Sequence, residues 1–401
     1  MMFMRSAPQQ AKRRNRQRKC VSVAILAGTM LLAACGSSDP ADGTDSSTSP
    51  GAGTGSVSGG DLAATVADLS DRDLSNPIPT EPISRVDELH GKKVFYIPIT
   101  QQAPQFAVTG RTLTAALGAA GLTVQICNGN SNPSDITACV NQAVGANAGA
   151  IITDSIPYAL AANGFAAAQA KKIPVLITDQ IPDPAHKTGP LLGYLEGAGK
   201  TQLRAIADWV IVDSGGKAKV VINASTDSPS TQAYIATAQE EFSAHCPDCK
   251  VTLNKISSAN FPLIASSTSS AILANPGVNY VISEFEQYLQ PTSTGVQQSG
   301  KATSVKGAST AAQINGLQML ESEKFLHADV GQASAYQGWA DADAVLRMML
   351  GETLPEYEIP IRLFTRENVK ELSITSQAEA SGEWFGPTDF PARFKTLWGL
   401  S

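Results

Sequence analysis

At 401 residues, with 43% hydrophobic and 16% charged residues, the chain has the make-up of globular material and enough length for two domains. Its formal charge is −6, but seven of its 30 basic residues and none of its 36 acidic ones fall within residues 1–34, so the remainder carries −13. That balance speaks against nucleic-acid binding, and no basic stripe interleaved with aromatics offsets it.

The N-terminus begins with Arg5, Lys12, Arg13, Arg14, Arg16, Arg18 and Lys19 and continues into an apolar run from Val21 to Leu32. Extended to Ala34, that run is too short to span a bilayer comfortably, so residues 1–34 read as a signal peptide. Leu32-Ala33-Ala34-Cys35 looks like a bacterial lipobox, which implies cleavage before Cys35 and a diacylglyceryl group on its thiol; a plain secretory signal with a chance cysteine is the other reading. Residues 35–60, almost all Gly, Ser, Thr and Asp, read as a flexible tether. Residues 61–89 bring back Leu62, Val66, Leu69, Ile78 and Ile83 among prolines 77, 79 and 82, a lead-in that drapes over the first domain.

From Lys93 onward strand and helix signals alternate. Strands are expected at Lys93–Ile99, Thr123–Cys127, Ala150–Thr153, Val175–Thr178, Lys219–Asn223, Lys250–Ile256, Tyr280–Ser283, Ser304–Ala308, Asp329–Gly331 and Ile359–Phe364. Asn132-Pro133-Ser134-Asp135 offers an N-cap, a proline at the first helical position and an acid in the first turn, ahead of the apolar face Ile136, Val140, Ala143 and Val144. The stretch Ala148 to Gln180 is a compact βαβ unit whose strands end in Thr153-Asp154-Ser155 and Thr178-Asp179-Gln180. Polar groups at the carboxyl ends of parallel strands are where open α/β sheets bind ligands. Strands alternating with helices indicate α/β layers, and two smaller sheets suit the length better than one large one. No sequence repeat of 20–50 residues supports a solenoid.

Four cysteines remain after Cys20 and Cys35: Cys127, Cys139, Cys246 and Cys249. An even number in an exported chain reads as disulfides, and pairing neighbours gives Cys127–Cys139 and Cys246–Cys249. The Cys246-Pro247-Asp248-Cys249 spacing also suits a redox pair or half a zinc site, but no second Cys/His cluster stands nearby and the motif lies between a helix and a strand. Catalytic motifs are missing. Gly307-Ala308-Ser309-Thr310-Ala311 lacks the last glycine of a nucleophile elbow, no P-loop or zincin motif occurs, and the four histidines are scattered. Asp341 and Asp343 lie i,i+2 on an expected helix, so their carboxylates diverge; they read as a solvated face. Metal, cofactor and catalytic residue are therefore all expected to be absent.

Lys171-Lys172-Ile173-Pro174-Val175-Leu176-Ile177-Thr178-Asp179 resembles the type I periplasmic binding proteins of the ribose-binding group. Asp329-Val330-Gly331-Gln332-Ala333, Tyr336-Gln337-Gly338 and the closing Ile359-Pro360-Ile361-Arg362-Leu363-Phe364 are similar to that family's late segments, in the same order. The resemblance implies two similar three-layer α/β lobes with parallel sheets, joined by a three-crossing hinge with the ligand cleft between them. Carried over by order, the N-terminal lobe is 90–197 with 333–357, the C-terminal lobe 198–332 with 358–371, and 372–401 is a C-terminal extension whose Trp384, Phe385, Phe390 and Trp398 pack on the body. The implied ligand-binding residues are Gln105, Phe106, Asp154, Asp179, Gln180, Gln232, Glu284, Phe285, Ser309 and Gln332. Two departures stand out: Gln180 and Gln232 occupy positions where sugar-binding relatives carry arginine. A cleft of carboxylates with a phenylalanine suits a ligand with amine or hydroxyl donors and an apolar or ring body.

The implied function is that of a monomeric, lipid-anchored, extracytoplasmic solute-binding protein. It would hold a small-molecule ligand and hand it to an ABC transporter permease. A receptor reporting to a membrane sensor, or an exported α/β enzyme, are the alternatives.

Overall fold

The structure is a computed structural model that describes residues 59–71 and 75–400. The expected signal segment, Cys35 and nearly all of the tether lie outside the described residues.

Among the described residues eleven strands form two sheets. β1 (Lys93–Pro98), β2 (Thr123–Ile126), β3 (Ala150–Asp154), β4 (Val175–Thr178) and β5 (Leu192–Leu195) make a parallel sheet ordered β2-β1-β3-β4-β5. β6 (Lys219–Ser225), β7 (Lys250–Ile256), β8 (Tyr280–Ser283), β9 (Lys306–Ala311), β10 (Leu326–Gln332) and β11 (Ile361–Thr365) make the second, ordered β11-β10-β9-β8-β6-β7 and parallel except for β11. The expected strands are present. β5 is additional, a four-residue strand interrupted by Gly193 that gives too short an apolar signal to read.

The helices are α1 (Gly59–Ser70), α2 (Pro104–Ala119), α3 (Pro133–Gly145), α4 (Tyr158–Ala170), α5 (Gly199–Asp213), α6 (Pro229–His245), α7 (Ile264–Ala274), α8 (Leu289–Gln298), α9 (Ile314–Glu321), α10 (Ser334–Leu350), α11 (Ser376–Ser381) and α12 (Phe390–Leu397). Local chemistry sets their starts. The Asn132 side chain accepts from the Ser134 N–H with Pro133 opening α3, and Ser228 and Thr231 form a capping box on α6.

The chain crosses between the sheets after β5, after β10 and again between α10 and β11. α10 thereby returns to the first sheet's side and packs on α2. Gly338 makes that approach possible, because a Cβ there would sit 2.6 Å from the Thr109 carbonyl oxygen and 2.7 Å from the Leu113 nitrogen. Around the first sheet, Phe95, Ile97, Ile151, Ile177 and Phe165 form one core, and Val94, Tyr96, Leu113, Leu117 and Trp339 another on the opposite face. The second sheet buries Val220, Ile222 and Ile282 against Leu203, Ile206 and Val210 of α5. Cys127 and Cys139 lie 5.7 Å apart between Cα atoms, and Cys246 and Cys249 5.3 Å, both within the span a disulfide bridges.

The segments flanking this body are packed into it. Leu62 of α1 joins the α5 core, whereas Ile83, Val86 and Leu89 join the core of the first sheet. Trp384, Phe385, Phe390, Phe394 and Trp398 are all buried. Phe394 lies 5.7 Å from the Tyr336 ring, and Trp398 stacks on Trp339 at 5.5 Å. The two flanks also meet: the Asn76 amide donates to the Pro387 carbonyl at 2.6 Å, Arg393 donates to the Asn76 carbonyl at 2.9 Å, and the Ile83 N–H donates to the Leu397 carbonyl at 3.0 Å.

One expectation is corrected. Asp341 and Asp343 are not a solvated face; both are fully buried. Their carboxylates do diverge, but α10 is covered on its inner side by the first sheet and on its outer side by α12, so neither direction reaches water.

Candidate functional site

The carboxyl ends of β1, β3 and β4 face those of β6, β8 and β9, and the backbone is unusual along both edges. Ser155 (φ 57°), Asp179 (φ 53°), Ala311 (φ 99°) and Ala312 (φ 38°) take left-handed conformations that non-glycine residues rarely adopt, and all four follow or end a strand. Such strain concentrates where a fold must aim side chains rather than relax them.

On the first lobe a polar cluster sits beside the crossings. The Tyr96 hydroxyl donates to Asp154 Oδ2 at 2.6 Å and lies 3.3 Å from the Phe106 carbonyl oxygen. Asp154 is fully buried. Burial pushes its carboxyl well above the ordinary value, and the neighbouring charges of Asp179 and Asp341 push further. Asp179 is half-buried and also raised by burial, while the neighbouring Asp154, Gln337 and Gln332 side chains pull the other way. Gln332 Nε2 donates to Gln337 Oε1 at 2.8 Å and lies 3.5 Å from Asp179 Oδ2; its Oε1 accepts from the Ala198 N–H at 3.2 Å. Gln332 thus ties two of the three crossings to the site. Gly197 at the crossing leaves room for the Asp179 carboxyl, since a Cβ there would fall 1.6 Å from Asp179 Oδ1 and force that side chain to move.

On the second lobe, Glu284 is fully buried. Its Oε2 accepts from the Ser225 N–H at 2.5 Å, and its Oε1 has no hydrogen-bond partner. Burial raises its carboxyl well above the ordinary value; the Ser225 N–H lowers it and Asp227 raises it. Glu286 accepts from the Gln313 and Gly316 N–H groups at 2.5 and 2.9 Å, holding the start of α9. Burial lifts it to about 7, against those two bonds, and it neighbours the buried Asp329. Tyr234 joins the lobes: its hydroxyl donates to the Asp179 carbonyl at 3.3 Å, and its own ionisation is opposed by burial and then by Asp179, Glu196 and Glu284. Ser230 Oγ donates to Gln180 Oε1 at 2.8 Å and accepts from the Ile181 N–H at 3.1 Å.

A cavity of about 740 Å³ opens between the two edges, toward the mouth. Gln102 and Pro104 line it from the first lobe, and Phe261, Glu286, Tyr288 and Gln313 from the second. This volume is in the range of small-molecule pockets.

The ten residues expected to hold ligand fall into three groups. Asp154, Asp179, Gln332 and Glu284 lie along the facing edges described above. Phe106 is buried at 5% exposure yet joins none of the buried apolar clusters, and Gln105 beside it is half-buried. Phe285 is half-buried, 6.3 Å from the Tyr288 ring. The remaining three are placed differently: Gln180 is engaged by Ser230, Ser309 donates to the Ser283 carbonyl at 3.1 Å inside the sheet, and Gln232 is exposed on α6. Sequence reasoning passed over Tyr96, Ser230, Tyr234, Glu286, Tyr288 and Phe261. Ser230 and Tyr234 follow a readable helix start, Ser228-Pro229, and that was the available signal.

The periplasmic binding protein domain matches residues 94–353. The chain belongs to that family. Its fold is the type I arrangement of two α/β lobes. The binding protein is similar to a 5-methylthioribose transporter solute-binding protein from Thermotoga lettingae, at 18% identity and a TM-score of 0.64, covering 79% of this chain and 99% of that one. It is also similar to an ABC transporter solute-binding protein from Agrobacterium vitis bound with α-D-tagatopyranose (17%, TM-score 0.63, 71% and 97%). A third is a glucose-galactose binding protein from Geobacillus stearothermophilus (14%, TM-score 0.62, 69% and 98%). No curated protein matches in sequence. Among the described residues, no helix is long and apolar enough to cross a membrane.

Proposed function

We propose that this binding protein works outside the cytoplasm, held to the membrane by lipid on Cys35, and captures a small solute between its lobes for delivery to an ABC importer. The observation that carries this reading is the interlobe cavity of about 740 Å³, lined by Thr100 and Gln102 of the first lobe and Ser258, Glu286 and Gln313 of the second; Asp154, Asp179, Glu284 and Gln332 lie behind it rather than on its wall. The Leu-Ala-Ala-Cys run and the named transporter relatives support the anchor and the importer. Asp154, Asp179, Glu284 and Gln332 grip the solute, Phe106 meets its apolar or ring face, and Cys127–Cys139 and Cys246–Cys249 form disulfides. Lobe closure is the signal a permease reads.

A small-molecule panel read by thermal shift tests the reading, since binders raise the melting temperature by mass action and leave the assay unchanged. Chemical conversion of any binder would refute it. Asp179→Ala and Phe106→Ala are each expected to weaken binding about tenfold or more in calorimetry while keeping the native circular dichroism spectrum. Normal binding by both variants refutes this placement of the site.

A further inference from the structure

The part of the cavity wall that belongs to α9 is held by two acids. Glu286, in the turn after β8, lines the cavity, and its two oxygens accept the Gln313 and Gly316 N–H groups at the start of α9. Asp329 of β10 is fully buried. Its Oδ1 accepts the Ala312 N–H at 3.2 Å, and its Oδ2 has no hydrogen-bond partner. The two carboxyls converge: a Cβ on Gly316 would stand 2.5 Å from Asp329 Oδ2 and 2.6 Å from Glu286 Oε2. Among the described residues neither acid is ion-paired with Lys, Arg or His. Three other charged groups stand close by. Glu379 of α11 lies at the Ile314 N–H with Arg111 beside it, and Lys324 is on the cavity wall. Glu379 opposes the ionisation of Glu286, and neither cation pairs with Glu286 or Asp329.

Two buried carboxyls that face one another with no cation between them do not both ionise readily, so one proton stays with the pair. The donors around them decide where it sits. Glu286 receives two backbone N–H groups at a helix start, where negative charge is favoured, and Asp329 receives one. The anion therefore belongs on Glu286, and the orphaned Oδ2 of Asp329 is the atom that carries the hydrogen. Burial pushes the Asp329 carboxyl well above its ordinary value, and the neighbouring Glu286 pushes it further.

We infer that Asp329 is a positioning residue of the cavity: its Oδ2 keeps a proton, donates it as a hydrogen bond to Glu286, and through that bond fixes α9 and the turn before it. What the bond holds in place is a row of amides. Gln313, at the end of the turn, and Asn315 and Gln318 of α9 all line the cavity. The turn bends through Ala311 and Ala312 at φ 99° and 38°, conformations that a non-glycine residue keeps only where its surroundings hold it. When pH rises far enough for the proton to leave to water, two carboxylates face each other and this wall loosens. The inference goes beyond the solute-binding reading and does not depend on it, because its test needs no solute.

The test combines hydrogen exchange over residues 312–321, read by mass spectrometry at pH 6, with melting temperatures at pH 4 and pH 8, on the full chain and three variants. Asp329→Asn keeps a donor toward Glu286 and an acceptor for Ala312, so α9 should exchange at the parent rate. A carboxyl with a raised folded pKa contributes stability that is complete below its unfolded pKa and is lost as pH rises through the folded one. Asp329→Asn should therefore melt with the parent near pH 4 and about 2 °C or more above it at pH 8. Asp329→Ala leaves Glu286 short of a donor, and Glu286→Gln turns an amide N–H toward donors; each should speed exchange of α9 by about tenfold or more. Infrared difference spectra at pH 7 need neither of those two variants to fold: the carbonyl band of a protonated acid should be present in the parent and lost in Asp329→Asn. Fast exchange in Asp329→Asn with parent-like exchange in Glu286→Gln places the proton on Glu286 and overturns the inference. An infrared band unchanged by Asp329→Asn, or parent-like exchange in all three variants, overturns it as well.

Discussion

Asp341 and Asp343 leave the same helix two residues apart and meet opposite surroundings. Asp343 points to the outer side, where it accepts from Arg347 Nε at 2.8 Å, the Tyr357 hydroxyl at 2.5 Å and Trp398 Nε1 at 2.7 Å. Asp341 points inward, and neither of its oxygens has a hydrogen-bond partner. Burial raises its carboxyl well above the ordinary value, and the charge of Asp179 adds to that. The difference separates two uses of a buried acid. Asp343, which serves the fold, is surrounded by donors; Asp341, on the side of the site, has none, and burial disfavours its charged form.

Three substitutions test that contrast. Asp343→Ala should have the largest effect, lowering unfolding free energy by about 3–5 kcal/mol in denaturant titration, because it takes the nearer ion-pair partner from the buried Arg347 guanidinium, leaving Glu352 at 3.7 Å, and removes the acceptor of Tyr357 and Trp398. Trp398→Phe removes one hydrogen bond to a charged acceptor and should cost about 1.5–3 kcal/mol. Asp341→Asn should act in the opposite direction. A carboxyl whose folded pKa is raised contributes stability that is complete below its unfolded pKa and is lost as pH rises through the folded one. The variant should therefore match the parent near pH 4 and exceed it on the order of 1 kcal/mol by pH 8. Equal losses at pH 4 and pH 8 for Asp341→Asn would erase the distinction between the two acids.

The strand-and-helix alternation was legible because parallel strands buried on both faces read as short apolar runs, and Val175–Thr178 is fully buried along its length. The strand-end acids Asp154 and Asp179 were legible for the same reason, since each stands where an apolar run stops. The surroundings of α10 were not. Spacing gave the divergence of Asp341 and Asp343, but the burial of Asp343 depended on Trp398, more than fifty residues later, and nothing local to the helix announces that cover. The Asp343–Arg347 spacing of four residues was the one available hint. Gln180 shows the converse limit: its position beside Asp179 was plain, but its engagement by Ser230 belongs to the way the lobes meet.

The interlocked flanks have a consequence for how the protein folds. Asn76 meets Pro387 and Arg393 across sequence separations of 311 and 317 residues. Every strand pairing in the two sheets closes a shorter loop. Loop-closure entropy and the slowness of distant contacts both place this junction at the end of the expected folding order. Until residues 387–398 dock, Tyr336, Trp339 and Asp343 lack the cover and partners they have in the finished fold. Both lobes can thus be built before α10 is sealed, and the short segment that closes the outer side of that helix is the last to dock.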